Sequence, residues 1–478
     1  MDVDVMENQG MNAAPSVGRL PLQKDFRFAV LSGLALAVVF GIAQALGGGT
    51  PASLGFLLAI AAVMLLLSSP ELSLTALMVV FYIDYHVSLF SSAVWFTLFV
   101  AAAFFLRRRD FAWKEFSTPL SMPLLVYGLA VIPSLFVAVR PFTCIIKLYN
   151  MASFLIAMYV VMLTAHSFET MRKLTWVFVV MAAVNALHVI SVAVSTGGRE
   201  YGFAGVMFVD YAGVAVNAIA LMVLFSKGWR RIVLLLFAVL VGMGLILTQT
   251  RNAWLSTAIT LVIVLLYLIR YPDIAGISRK RMIVAAVLGG LALAGLAGAT
   301  IALNPKVGDR AVDITEANTV GTADALIIRN TLLTRLIIWD TSLNAVLAHP
   351  LIGVGVYGFI DASYQYCHLP KILWALYVRG NSPHIAYFEV LAETGLIGLA
   401  AFCFLVAAML RMAARTVREA TGLRAKRYAL IAFSAVIYSA VSMFFTDAWL
   451  WGQGVVLWGF IVGLVLANRQ LQSRTVPA

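Results

Sequence analysis

Long apolar segments separated by short polar ones dominate this 478-residue chain. A helix needs about 20 apolar residues to cross the hydrocarbon core of a bilayer. We therefore predict an all-α polytopic integral membrane protein with 12, and up to 14, transmembrane helices. The short second to fourth segments leave room for broken or re-entrant helices. The apolar segments are residues 28–46, 52–68, 72–90, 92–106, 120–138, 144–165, 173–195, 204–225, 232–248, 252–270, 282–302, 386–410, 428–446 and 452–467.

Composition supports the same class. Hydrophobic residues make up 62% of the chain and charged residues 12%, whereas a soluble domain carries roughly 25% charged residues. The net charge of +12 would suit nucleic acid. The basic residues, however, form short clusters between apolar segments, as topology determinants do, so we predict no nucleic-acid partner.

These clusters also predict the topology. They fall on one side when the segments alternate, and the positive-inside rule makes that side the cytoplasm. Residues 28–46 are predicted to be a retained first helix and not a cleaved signal peptide. The predicted organisation is a cytoplasmic tail (1–27), transmembrane helices (28–302), a periplasmic loop domain (303–385), further transmembrane helices (386–467) and a second cytoplasmic tail (468–478).

The loop domain is balanced in charge and contains one helical repeat of apolar positions. Leu332, Leu336, Trp339 and Leu343 recur at helical spacing, which predicts an amphipathic helix lying on the membrane and ending before Pro350. A second short helix is predicted around residues 371–378. The loop is long enough to form a small domain.

Four basic residues stand at the outer ends of apolar segments, against the topology signal: Arg140, Lys147, Arg199 and Arg251. The polar neighbours of Arg251, residues 249–252, favour a pocket over a snorkelling side chain. For Arg199, beside two glycines, a solvated turn is an equal alternative. For Arg140 and Lys147 an interfacial role is favoured. Because guanidinium groups bind phosphate through paired hydrogen bonds, converging arginines at this depth would suit a lipid pyrophosphate.

His384 stands at the end of the long loop, just before an apolar segment. An imidazole with a reference pKa of about 6.5 can accept a proton at neutral pH, which makes His384 a candidate general base. A structural role is the alternative for any single loop histidine. The other five histidines share no pattern, and we interpret them as structural.

No metal site is predicted. Cys144, Cys367 and Cys403 lack metal-ligand spacing, and a Cys144–Cys367 disulfide remains an alternative that we do not favour. The outer segments contain no Asp-x-Asp pattern or His/Asp cluster. We predict no cofactor.

Three motifs together resemble the O-antigen ligase family, which is related to O-antigen polymerases and bacterial protein O-oligosaccharyltransferases. The first runs from His384 to Gly395 and Gly398, with Ile385 where the family usually has a small polar residue. The second joins Arg335 and Trp339 to a Pro-Leu-x-Gly-x-Gly turn that contains Gly353 and Gly355. The third is Gln249-Thr250-Arg251 at the start of an apolar segment.

The resemblance implies a GT-C-like fold in the inner membrane of a Gram-negative bacterium, with the active site facing the periplasm. The donor would be O-antigen on undecaprenyl pyrophosphate and the acceptor a sugar hydroxyl of lipid A core. The reaction would be inverting and independent of metal, with His384 as the base. The pyrophosphate would be bound by Arg251, Arg199, Arg335, Arg140 and Lys147.

Other functions remain open. An O-antigen polymerase or a protein O-oligosaccharyltransferase would use the same donor with a different acceptor. A lipid-linked glycan transporter is less favoured, because no internal duplication is visible and the aspartates in or near apolar segments are few: Asp84, Asp210 and Asp447.

Overall fold

A computed structural model describes residues 70–80, 86–87, 90–91, 97, 101, 113–196, 200–303, 307, 317–322 and 325–475. The chain divides into two compact units, residues 1–73 and 74–478. The fold from residue 74 onward and the site described below belong to the second unit. The predicted cytoplasmic tail 1–27 and the apolar segments 28–46 and 52–68 lie outside the described residues.

The described part is predominantly helical, in agreement with the predicted class. The helices, in chain order, are α1 (Pro70–Val80), α2 (Ser121–Leu135), α3 (Pro141–Thr164), α4 (Phe168–Thr196), α5 (Phe208–Leu224), α6 (Gly228–Leu247), α7 (Arg251–Arg270), α8 (Pro272–Ala275), α9 (Arg279–Leu303), α10 (Thr331–Ala348), α11 (Gly358–Tyr366), α12 (Lys371–Tyr377), α13 (Ala386–Glu419), α14 (Leu423–Ser442) and α15 (Gly452–Thr475). Short 3-10 turns occupy Trp113–Phe116, Gly202–Met207 and Ala448–Leu450.

Seven helices of the described part are long and apolar enough to cross a bilayer: Lys147–Thr164, Phe168–Thr196, Gly202–Leu224, Gly228–Leu247, Arg251–Arg270, Ala386–Glu419 and Gly452–Arg474. Each coincides with an apolar segment predicted above. The segment predicted at 120–138 forms the shorter helix α2, of 15 residues. The segments at 282–302 and 428–446 form α9 and α14, which are not among the seven. The predicted total of 12 to 14 spans stays a prediction.

Small residues bring the helices together. Along the contact between α3 and α15, a Cβ added at Gly463 would lie 2.7 Å from the carbonyl oxygen of Met158. Close backbone approach of this kind stabilises helix pairs in lipid through van der Waals packing. Helix α14 is buried along most of its length and packs against α5, α7, α13 and α15. Helices α7 and α13 therefore pack against the same helix, α14.

The loop domain combines the predicted helices with an unpredicted hairpin. Strands β3 (Ala317–Thr322) and β4 (Ala325–Asn330) pair antiparallel, with Ala317 opposite Asn330, just before α10. A smaller hairpin joins β1 (His86–Val87) to β2 (Phe90–Ser91). The amphipathic helix and the second short helix correspond to α10 and α12. Helix α10 buries Ile338 and Ala345 on the face that packs against the rest of the domain.

Candidate active site

His384 lies immediately before the first turn of α13, in the left-handed backbone region with φ 57°. Its preceding residue is held by α10, because the Trp339 indole donates a hydrogen bond of 2.9 Å to the Pro383 carbonyl. The following turn is held by the chain after α14, since the Ala386 amide donates to the Met443 carbonyl at 2.9 Å. Both sides of the half-buried His384 are therefore anchored to other segments.

Strained backbone marks this region. Three non-glycine residues of the described part have positive φ: Gln249, Tyr357 and His384. Gln249 lies two residues before Arg251, and Tyr357 lies two residues after the glycine turn of the second motif. Residues held in sparsely populated backbone regions are common at functional sites, where the surrounding structure compensates the strain.

Asp447 is the acid associated with His384. It accepts a hydrogen bond from the Ser382 hydroxyl, two residues before the histidine. Burial lowers the pKa of His384 below its usual 6.5, the carboxylate of Asp447 opposes that shift, and the guanidinium of Arg335 adds to it. The imidazole is therefore mainly neutral at pH 7 and able to accept a proton. From the sequence, Asp447 was apparent only as an acid near a span end.

Arg335 and Arg251 form the cationic part of the site. Burial lowers the pKa of Arg335, the like charge of Arg251 lowers it further, and Asp447 raises it. Arg335 lies one turn before Trp339 on α10, so the two residues of the second motif share a helix face. Arg251 is the first residue of α7, where the positive end of the helix dipole also favours anions. Two guanidinium groups within electrostatic range of each other are suited to a multiply charged anion.

Arg140 and Lys147, predicted to bind pyrophosphate, instead have carboxylate partners in the structure. The exposed Arg140 pairs with Asp361 of α11 at 3.3 Å. Lys147 is only 8% exposed and its Nζ lies 2.6 Å from Glu389 Oε1 and 3.9 Å from Glu393 Oε2. Arg199, the remaining predicted cation, lies outside the described residues.

The Lys147 cluster links α3 to the first two turns of α13. Lys147 Nζ also lies 4.0 Å above the ring of Trp451, whose indole donates to Glu389 at 3.3 Å. Both glutamates interact electrostatically with Asp447. Removing either partner of a buried ion pair strongly lowers stability, because the remaining charge would stay buried and uncompensated. The two glutamates were not assigned from the sequence, where their i, i+4 spacing was the available signal.

The glycines of the two motifs meet at a break in α13. Gly395 is non-helical, with φ 66° and ψ −167°, and a Cβ there would overlap the backbone of Leu351 and Ile352. A Cβ at Gly353 would in turn overlap the backbone of Glu393. Both positions therefore require glycine for close approach. Gly398, by contrast, lies against the side chain of Thr394, one turn earlier in α13.

The break exchanges hydrogen bonds with the glycine turn. In an unbroken helix the amides of residues 396 and 397 would bond to the carbonyls of Ala392 and Glu393. Here these amides donate instead to the carbonyls of Pro350, at 2.9 Å, and Leu351, at 3.3 Å. The freed carbonyls of Ala392 and Glu393 accept from the amides of Val354 and Gly355, both at 3.0 Å. All four groups that the break exposes are therefore satisfied by the turn.

Metal ligation and disulfide formation find no support in the described part of the chain. No group of three or more His, Cys, Asp or Glu residues there is arranged to hold a metal ion. The three cysteines are free, and the thiol of Cys144 lies 3.3 Å from the carbonyl of Val356. The Cys144–Cys367 disulfide left open above is not formed.

The fold and the apolar helices define a multi-pass membrane protein. Residues 235–403 match the family model described as O-antigen ligase. The match includes Arg251, Arg335 and His384 and confirms the resemblance of this region to the O-antigen ligase family. It supports an enzymatic role of the ligase or polymerase type. Lys147 and Asp447 lie outside the matched region. No curated protein matches the chain significantly.

Proposed function

We propose that this protein is an O-antigen ligase that transfers O-antigen from undecaprenyl pyrophosphate to a sugar hydroxyl of lipid A core, on the periplasmic side of the inner membrane of a Gram-negative bacterium. The observation that carries the proposal is the electrostatic interaction of the half-buried His384 with Arg335, which in turn interacts with Arg251. This combination supplies a base and an anion site without requiring a metal.

In the proposed reaction, His384 accepts the proton of the acceptor hydroxyl. The acceptor oxygen forms a bond to the anomeric carbon while the bond from that carbon to the pyrophosphate oxygen breaks, with inversion. The electron pair of the broken bond leaves with undecaprenyl pyrophosphate, and the imidazolium then returns its proton to water. Asp447 stabilises the imidazolium as it forms.

Arg251 and Arg335 are the residues that we assign to the leaving pyrophosphate. Charge builds up on the phosphate oxygens as the bond breaks, so fixed cations stabilise the transition state more than the ground state. Arg199 is a third candidate for this role. Arg140 and Lys147 already have carboxylate partners, and we do not include them.

The acceptor distinguishes this function from its two relatives. A polymerase would transfer to a growing glycan, and a protein O-oligosaccharyltransferase would transfer to a serine or threonine hydroxyl. Both would need the same base and the same anion site. The region matched by the ligase family model favours the ligase, with the polymerase as the alternative.

The test is deletion of the gene in its host, followed by gel analysis of lipopolysaccharide. Strains carrying the wild type, His384→Ala and His368→Ala are compared at equal membrane levels. His368 is an exposed loop histidine bonded to Asn344 and serves as the matched control. We expect the long-chain ladder to be restored by the wild type and by His368→Ala, while polymer accumulates on the carrier lipid with His384→Ala.

Other results would overturn the proposal. Core carrying a single repeat unit in the deletion strain would identify a polymerase. An unchanged ladder in the deletion strain would exclude both functions. Full restoration by His384→Ala would show that the base is another residue.

A further inference from the structure

The glycine turn meets α13 inside the region that this helix places in the membrane. Helix α13 has 34 residues, about 51 Å at 1.5 Å per residue, whereas the hydrocarbon core is about 30 Å thick. Its last turns carry Arg411, Arg415 and Arg418, which belong at the polar surface. Counting about 20 residues back from Arg411 places the opposite boundary near Leu391.

The turn therefore lies below that boundary. Leu396 and Ile397 come five and six residues after Leu391, which corresponds to a depth of roughly 8 Å. Their amides bond directly to the carbonyls of Pro350 and Leu351, so these two residues share the same depth. Irregular backbone is tolerated at membrane depth where it is buried in protein or lines a water-filled cavity. The four exchanged hydrogen bonds pair backbone groups of the turn with protein, as the first case requires.

Helix α10 descends beside α13 and does not lie flat. Trp339 near its middle bonds to Pro383, just before α13 begins, and Pro350 after its end bonds to Leu396, well inside α13. The two helices therefore run in the same direction over this stretch. The amphipathic helix was expected to lie on the membrane surface. Its hydrogen bonds to both ends of this part of α13 give it an inclined course.

The exposed face of α10 is apolar towards this deeper end. Leu343 and Leu347 are 47% and 69% exposed, and Leu351 after the helix is 60% exposed. The exposed Asp340 lies on the same face about 10 Å nearer the start of the helix. His349, which lies between α10 and the glycine turn, is exposed and makes an edge-to-face contact with the ring of Tyr366 at 5.9 Å.

The same apolar surface continues onto the membrane-spanning helix. Leu396 and Ile397, bonded through their amides to the turn, are 51% and 45% exposed on α13. Side chains exposed at this depth on a spanning helix face lipid. Leu351 lies beside them, and its side chain is exposed to a similar extent.

We propose that the C-terminal half of α10 and the turn after it enter the leaflet on the His384 side, where Leu343, Leu347 and Leu351 contact the acyl chains of bulk lipid. The occupant is bilayer lipid because the surface is continuous with the lipid-facing side of α13. This inference does not depend on the proposed catalytic function. It makes α10 an anchor that fixes the height of Arg335 and Trp339 above the membrane.

The test is site-directed spin labelling of the full chain in vesicles of phosphatidylethanolamine and phosphatidylglycerol. Cys367 and Cys403 are replaced by serine, and the buried Cys144 is kept. Nitroxide labels are placed by Leu347→Cys, Leu351→Cys and Asp340→Cys. The native Cys403, exposed on α13, provides the depth reference in a Cys367→Ser chain. Power saturation with oxygen and with a water-soluble nickel chelate then reports the surroundings of each label.

Labels at 347 and 351 are expected to be accessible to oxygen and protected from nickel, as at Cys403. The label at 340 is expected to be accessible to nickel and less accessible to oxygen. Nickel accessibility at 347 and 351 would show that they face water and overturn the proposal. Protection from both reagents would show a protein cover instead. A loss of oxygen accessibility on adding undecaprenyl phosphate would assign the surface to a polyprenyl ligand. Leu343→Cys repeats the measurement should Leu347→Cys fail to insert.

Discussion

Replacing Gly395 by alanine should be severely disruptive, because this position serves both the break in α13 and the contact with the glycine turn. Its φ of 66° and ψ of −167° fall in a region that is essentially restricted to glycine. The added Cβ would also overlap the backbone of Leu351 and Ile352, which cannot rotate away as a side chain could. The substitution therefore forces either strain or separation of the turn from the helix.

The size of the effect follows from the hydrogen bonds involved. Strain at such a position costs about 1 to 3 kcal/mol. If α13 straightens to relieve it, two bonds reform within the helix, but the four groups of the turn lose their partners. Each buried polar group left unpaired costs about 1 to 3 kcal/mol, so even partial separation of the turn from α13 lowers the stability substantially. We expect a total loss of about 3 to 6 kcal/mol of stability.

The assay is thermal unfolding in detergent, followed by size-exclusion chromatography, together with the transfer assay. Gly290→Ala is the matched control, because it lies within α9 and an added Cβ meets nothing within 4 Å. Alanine there should leave stability equal or slightly higher. Gly395→Ala should unfold at a clearly lower temperature and lose transfer. If it were as stable and active as Gly290→Ala, the account of the broken helix would be refuted.

Two further predictions concern the surroundings of His384. Trp339→Phe removes the hydrogen bond to Pro383 but keeps an aromatic ring. The loss of about 1 kcal/mol should lower kcat by about fivefold at unchanged protein level, and an unchanged kcat would contradict the anchoring role. Because burial lowers the pKa of His384, the acidic limb of the transfer rate should lie below pH 6.5. Asp447→Asn removes the carboxylate that raises the pKa of His384 and should move the acidic limb to lower pH. Arg335→Met removes the cation that lowers this pKa and should move the limb to higher pH. The measurement is the pH–rate profile, and no shift or a shift to higher pH with Asp447→Asn would argue against the pairing of Asp447 with His384.

The sequence was informative wherever the signal belonged to one segment. Seven predicted apolar segments coincide with helices long enough to span a bilayer, since partition into lipid depends on the composition of each segment by itself. The same holds for the amphipathic repeat that became α10. The motif glycines at 353 and 395 were also recognisable, although their mutual contact was not.

The site depended on contacts between segments. Ser382 and Asp447 are 65 residues apart, and Lys147 and Glu389 are 242 residues apart, so neither pairing leaves a local pattern. The position of Lys147 in the sequence favoured an interfacial role, and its assignment to the pyrophosphate followed from the family resemblance. Its carboxylate partners became apparent only once α3 and α13 were packed together.

What the sequence by itself determined was the class of protein, most of the helices in the described residues and the family motifs. What the tertiary structure alone decided was which of the predicted cations are paired with acids, and how a broken helix and a distant turn satisfy each other's hydrogen bonds. The reason is physical. Hydrophobic partition is a property of each segment against lipid, whereas hydrogen bonds and ion pairs at membrane depth exist only between segments already packed.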